Sequence, residues 1–151
     1  WGDDDRSVWV ADSFRGLPPP DAEAWPADKG VDLSGVETLA VSRAEVEASF
    51  ARYGLLDSQV RFLEGWFADT LPTAPIGRLA LLRLDGDLYQ STWEALENLY
   101  PKLSVGGILI VDDYGAFEPC RRAVEDYRIK YEISDEVIPV DWTGIWWQRT
   151  R

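Results

Sequence analysis

With 151 residues, 46% of them hydrophobic and eight of them tryptophan, the chain is long enough for one domain with a sizeable core, which excludes a disordered tail. Fifteen basic against 27 acidic residues leave a net charge of -12, a field that repels nucleic acid and anionic membrane and suits a neutral or cationic ligand, or a metal. Cys120 is the single cysteine and histidine is absent. An intrachain disulfide, a cysteine or histidine metal site and a Ser–His or Cys–His nucleophile are therefore excluded, and proton transfer and metal binding fall to carboxylates, Lys or Tyr.

Ser7–Ala11 (SVWVA) predicts a short buried strand ending on Asp12. The loop that follows, to about Gly35, carries Pro18, Pro19, Pro20 and Pro26 and is barred from regular structure. Over Ser42–Tyr53, Val46, Phe50 and Tyr53 recur at helical spacing behind a Ser cap with Glu45 three positions on, and Gly54 ends the turn. Val60–Leu63 (VRFL) predicts a second strand, Gly65-Trp66-Phe67 leads into a brief helical turn, and Pro72 and Pro75 mark a loop.

Leu79–Leu84 (LALLRL) reads as a third strand, apolar enough to be covered on both faces, with Asp85-Gly86-Asp87 at its end. A helix over Thr92–Tyr100, a turn over Ser104–Gly107 and a fourth buried strand over Ile108–Val111, ending on Asp112-Asp113, come next. Phe117–Tyr131 predicts a long amphipathic helix, and Glu136–Asp141 with Ile145–Arg149 a closing strand pair around Thr143-Gly144. Alternating strands and helices specify an open, largely parallel α/β sheet with right-handed crossovers, in one domain spanning residues 1–151.

Ligands bind outside the carboxyl ends of strands in such a sheet. Three strands here end in carboxylates: Asp12, then Asp85 with Asp87, then Asp112 with Asp113. One strand-end Asp is often only a cap or turn former; five of them gathered along one edge point to a site. Asp85, Asp112 and Asp113 offer hard oxygen ligands to Mg²⁺ or a similar ion, and the ion would relieve the repulsion of like charges. A sugar hydroxyl on that ion loses its proton more readily, and Asp87 is placed to accept it as the oxygen attacks an electrophilic methyl group. Asp12 stands where a nucleotide-binding α/β fold presents an acid to ribose, or else caps the turn at Ser13 and Phe14. Trp66 and Phe67, behind Glu64-Gly65, either cover an adenine ring or belong to the core.

The stretches VWVADSFRGLP (Val8–Pro18), SRAEVEASFARYGLLD (Ser42–Asp57), FLEGWFADTLP (Phe62–Pro72), LRLDGDLYQST (Leu82–Thr92), YPKLSVGGILIVDDYG (Tyr100–Gly115) and the terminal DWTGIWW resemble the macrocin O-methyltransferase family, which methylates deoxysugars on antibiotics. The resemblance covers nearly the whole chain. It implies a Rossmann-like class I methyltransferase fold, mostly parallel with a C-terminal antiparallel hairpin. It further implies S-adenosylmethionine as donor and Mg²⁺ on residues matching Asp85, Asp112 and Asp113, with Asp87 or Asp85 as general base. Donor contacts would come from Asp12 and Ser13 with Gly65, Trp66 and Phe67, and the Leu17–Gly35 loop resembles the family's lid over the substrate.

In the family an N-terminal strand and a glycine-rich loop precede the part matched here, and neither is present in this sequence. The chain has no methionine, starts at Trp1 and enters a strand pattern at Ser7, so a fragment of a longer enzyme is expected, with strand rearrangement or donation by a second chain as alternatives. The expected partner is a small-molecule glycoside, with no nucleic acid and no membrane; a homo-oligomer is left open. No apolar run has bilayer-spanning length and no basic-then-apolar leader opens the chain, so the expected location is the cytoplasm. Two rival readings stand beside this one. Asp-Gly-Asp and Asp-Asp strand ends also resemble aspartate-nucleophile, Mg²⁺-dependent phosphatases, with Asp85 as nucleophile, and a truncated domain without donor binding would be a non-catalytic interaction module.

Overall fold

The structure, a computed structural model, describes residues 5–151. By its own packing the chain divides into two compact units: one runs up to Pro19 and resumes over Leu33–Ala74, the other joins Pro20–Asp32 to Pro75–Arg151.

In the first unit β1 (Val8–Asp12) and β2 (Val60–Glu64) pair in parallel with Val8 opposite Val60 and Asp12 opposite Glu64. This register brings the carboxyl ends of both strands side by side. The crossover between them carries α1 (Arg43–Arg52), which starts where the Ser42-x-x-Glu45 pattern places it. Glu45 N–H donates to Ser42 Oγ at 3.4 Å, and Ser42 N–H donates back to Glu45 Oε2 at 2.9 Å, the reciprocal capping box. α2 (Phe67–Thr70) is the brief turn expected after Gly65. The expectation of a buried β1 fails: Val8 is 55% exposed and no β1 residue is buried. Phe14, Ser13 and Leu71 are the unit's buried residues among those described.

The second unit holds a four-stranded sheet in the order β3 (Leu79–Leu84), β4 (Leu103–Val111), β6 (Ile145–Gln148), β5 (Ile138–Pro139). β3 and β4 are parallel, and the C-terminal hairpin is antiparallel, as the sequence predicts. The hairpin strands are shorter than predicted. α3 (Tyr89–Leu99) and α4 (Glu118–Lys130) pack on one another, and with the sheet they bury Leu82, Leu84, Leu96, Leu109, Val111, Val124, Tyr127 and Trp147.

Three expectations need correction here. β3 is not covered on both faces: Leu82 and Leu84 are buried, but Leu81 is 55% exposed and Arg83 also faces outward, the period-two pattern of a one-sided strand. Ser104–Gly107 is no turn but part of β4, where an irregularity between Leu79 and Leu81 absorbs the extra residues and Gly106 takes φ 85°. α3 begins at Tyr89, three residues before the predicted Thr92, because its cap comes from a residue far away in sequence. No helix among the described residues is long and apolar enough to cross a membrane.

Candidate functional site

In the second unit, the pairing of Leu84 with Val111 ends β3 and β4 level with each other, so Asp85 and Asp112 emerge side by side. Asp112 N–H donates to Leu84 O at 2.9 Å, carrying the ladder one step past the strand. One carboxylate oxygen each from Asp85, Asp112 and Asp113 lies within 4.8 Å of the others. Ligand atoms around an Mg²⁺ ion at ~2.1 Å sit roughly 3–4 Å apart, so modest side-chain rotation would close three hard donors onto one ion. The donor set therefore fits a hard divalent cation.

Like charges this close need neutralising. Arg83 does part of that: its Nη2 lies 2.9 Å from Asp85 Oδ2 and 2.7 Å from Asp112 Oδ2. All three side chains are about half exposed, so these ion pairs contribute little stability. Arg83 was not among the residues singled out from sequence, although the two-residue spacing in Arg83-Leu84-Asp85 puts the pair on one side of the strand. Among the described residues Asp113 has no cationic partner of this kind. Burial, then the charges of Asp87 and Asp85, push its carboxyl up to about 7.

Asp87 is half-buried and takes φ 55°, a left-handed conformation uncommon for a residue with a side chain. Its N–H donates to Asp113 Oδ2 at 3.3 Å. Burial first, and the Asp85 charge second, make this carboxyl hold its proton more tightly than an ordinary carboxylate does.

In the first unit, the paired ends of β1 and β2 shape a cavity of about 360 Å³ lined by Ser13, Arg15, Glu64, Gly65, Trp66 and Asp69. Ser13, Gly65 and Trp66 were expected there; Arg15 and Asp69 were not, since each looks like a solvated charge in sequence. Asp12 and Phe67 do not line this cavity. Asp12 Oδ1 accepts the Phe14 N–H at 2.6 Å, so the turn-capping role is present. Ser13 Oγ donates to Gly16 O at 2.6 Å and accepts from Arg15 N–H at 3.0 Å, which fixes the turn that presents Arg15. Gly65 takes φ 142°, and a Cβ there would meet Thr70 Cγ2 at 2.6 Å, so glycine is required for the chain to turn from β2 into α2. Trp66 and Phe67 are half-buried, neither core nor fully exposed. A guanidinium, two carboxylates and an indole together suit a ligand bearing hydroxyls and a flat ring.

Residues 1–149 match the family model described as macrocin O-methyltransferase (TylF). The chain is 57% identical over 148 residues to demethyldecarbamoylnovobiocin O-methyltransferase of Streptomyces niveus, covering 97% of this chain and 56% of that protein. It is also 57% identical over 152 residues to 8-demethyl-8-(2,3-dimethoxy-alpha-L-rhamnosyl)-tetracenomycin-C 4'-O-methyltransferase of Streptomyces olivaceus, covering 99% and 57%. The solved structure of the O-methyltransferase NovP superposes with a TM-score of 0.94 at 57% identity, covering 97% of this chain and 61% of NovP. The fold is thus that of the class I methyltransferases, and the chain spans somewhat over half the length of these relatives. The phosphatase reading of Asp85 and Asp87 gives way to this match.

Proposed function

Because the chain belongs to the macrocin O-methyltransferase family, we propose that it is the catalytic part of an enzyme that methylates a sugar hydroxyl of a glycosylated natural product, with S-adenosylmethionine as donor and Mg²⁺ or a similar cation as cofactor. The observation that carries the reading is the convergence of Asp85, Asp112 and Asp113 within 4.8 Å at neighbouring strand ends. The names of the relatives, one of which specifies a rhamnosyl group, support a glycoside as acceptor.

The reading assigns the donor nucleoside to the first unit, with Asp12, Ser13, Gly65, Trp66 and Phe67 as its contacts, and the acceptor to the second. Asp85, Asp112 and Asp113 would hold the cation. When bound, the donor supplies an electrophilic methyl group and the cation lowers the energy of an alkoxide. Asp87, whose carboxyl holds a proton more tightly than an ordinary carboxylate does, would accept the proton of the acceptor hydroxyl as that oxygen takes the methyl group. Asp85 is the alternative base. Arg83, which bridges two of these carboxylates, would have to yield them to the cation.

The test is incubation of the full-length protein with S-adenosylmethionine and a rhamnosylated aromatic polyketide, with product mass as readout. Gain of one methyl group that ceases in excess EDTA is the expected result. Transfer at an undiminished rate in EDTA would remove the cation from the scheme, and no transfer together with no heat on titrating S-adenosylhomocysteine would leave an interaction module instead.

A further inference from the structure

Asp28 is the deepest carboxylate among the described residues, with 0% of its surface exposed. It ends a 3-10 turn, Pro26–Asp28, in the middle of the Pro-rich segment. Burying an unpaired carboxylate costs several kcal/mol, and Asp28 avoids that cost with both oxygens. Oδ1 accepts the Tyr89 N–H at 2.6 Å and Oδ2 accepts the Gln90 N–H at 3.0 Å. These are first-turn donors of α3, whose own N-cap, Leu88, has no side-chain hydrogen bond to offer. The negative charge also sits at the favourable end of the helix dipole.

Aromatic packing reinforces the link. Trp25, three residues before Asp28, lies 5.8 Å from the Tyr89 ring, and Tyr89 stacks on Trp93 at 5.8 Å with the planes 6° apart. Tyr89 Oη in turn donates to Asp126 Oδ2 of α4 at 3.1 Å. A local Ser or Asp at position 88 would cap α3 equally well. A cap supplied from 61 residues away does something more, since it fastens one stretch of loop to the helix start.

The residues just before that helix start are the ones that matter for the site. Leu88 is fully buried, its N–H donates to Gly86 O at 2.5 Å, and Asp87 holds its left-handed φ between this anchored turn and its bond to Asp113. Backbone in a sparsely populated region persists only when its surroundings hold it. We propose that Asp28 is a positioning residue: acting through the first turn of α3, it holds Asp87 in its left-handed turn and pins the Trp25–Lys29 stretch beside the carboxylate loop as one unit. The inference rests on the methyl-transfer reading for the role of Asp87, and not for the pinning itself.

Two variants of the full-length protein test it. Asp28→Asn keeps the shape and one acceptor oxygen but turns an amide N–H₂ toward the second helix N–H; Asp28→Ala removes both acceptors. Trypsin cleavage after Lys29, an exposed residue followed by exposed Gly30, reports the pinning without any substrate. Cleavage is expected to accelerate about tenfold in Asp28→Asn and more in Asp28→Ala. In steady-state assays well below the melting temperature kcat should fall by roughly tenfold to a hundredfold, in the same order, with the donor KM within about twofold of wild type. A cap with a merely structural role would lower the melting temperature and leave kcat intact, and that result overturns the positioning role. Unchanged cleavage in a folded Asp28→Asn protein overturns the pinning. If the wild type transfers no methyl group, the functional reading fails on that ground alone while the proteolysis still judges the pinning.

Discussion

The two units carry their candidate site residues in opposite ways. In the second, Asp85, Asp112 and Asp113 emerge from strands whose inward residues Leu82, Leu84, Leu109 and Val111 are buried, so the carboxylates sit on a packed frame. In the first, the cavity is shaped by turns at the ends of a two-stranded sheet with no buried residue in either strand. Val8, Leu39, Val41, Leu55 and Leu56 are exposed there, and a two-stranded sheet is marginal alone. The geometry of Ser13, Arg15 and Gly65 depends on local hydrogen bonds and one glycine. Packing thus fixes the carboxylate cluster, while turn chemistry shapes the cavity.

The sharpest way to break this contrast is to cut each core. Trp147 is fully buried, with the Arg128 guanidinium 4.8 Å over its ring and its Nε1–H donating to Tyr100 Oη at 3.3 Å. Trp147→Ala should destabilise the protein by roughly 3–5 kcal/mol, read from denaturant midpoints. Phe50→Ala, a half-buried ring edge-on to Phe62, should cost less than half as much. Equal losses would mean that the first unit is packed as firmly as the second. Next in size is the chemistry on that frame. Asp85→Asn should lower kcat by on the order of 10²–10³, or about 3–4 kcal/mol, with an unchanged circular dichroism spectrum; activity near wild type would remove Asp85 from the site.

The same contrast explains what was legible in the sequence. Strands ending in Asp were readable because short apolar runs and strand-end acids are local signals, and the Ser42–Glu45 box predicted the start of α1 to the residue. The convergence of Asp85, Asp112 and Asp113 followed from parallel register once the strands were placed. What stayed hidden depends on pairing across the chain. The true start of α3 needs Asp28, 61 residues away in sequence. The exposed side of β3 could not be read from LALLRL, because a nearly continuous apolar run says nothing about how many faces are covered. Arg15 and Asp69 join the cavity only through the β1–β2 register.

A packed frame also holds the strand ends that carry these acids side by side, and this has a pH signature. The Asp113 carboxyl, raised by burial and by Asp87 to about 7, binds its proton more tightly folded than unfolded. Its contribution to apo stability is therefore fully present below the ordinary value of 3.8 and is lost as pH rises through about 7. A cation needs the ionised form, so Mn²⁺ affinity should weaken about tenfold from pH 8 to pH 6. Asp113→Asn should abolish that slope and flatten the pH dependence of the apo melting temperature. A pH-independent Mn²⁺ affinity in the wild type would show that these acids do not gather as described.

The smallest expected effect lies in α1, which, unlike α3 and α4, has no fully buried residue. Its packing is limited to partly exposed contacts such as Phe50 and Arg43 on the Phe62 ring, so the cap should matter more to this helix than caps do to α3 or α4. Ser42→Ala should cost about 1 kcal/mol, seen as faster amide exchange across Arg43–Val46. The Ser42 hydroxyl and N–H hold the Glu45 carboxyl below its ordinary value. That part of the contribution is present above the ordinary Glu range and is lost as pH falls through the depressed value. The exchange difference between Ser42→Ala and wild type should accordingly shrink under acid conditions. If it does not, the ionised Glu45 contributes nothing to the cap, and α1 is held by its flanking chain instead.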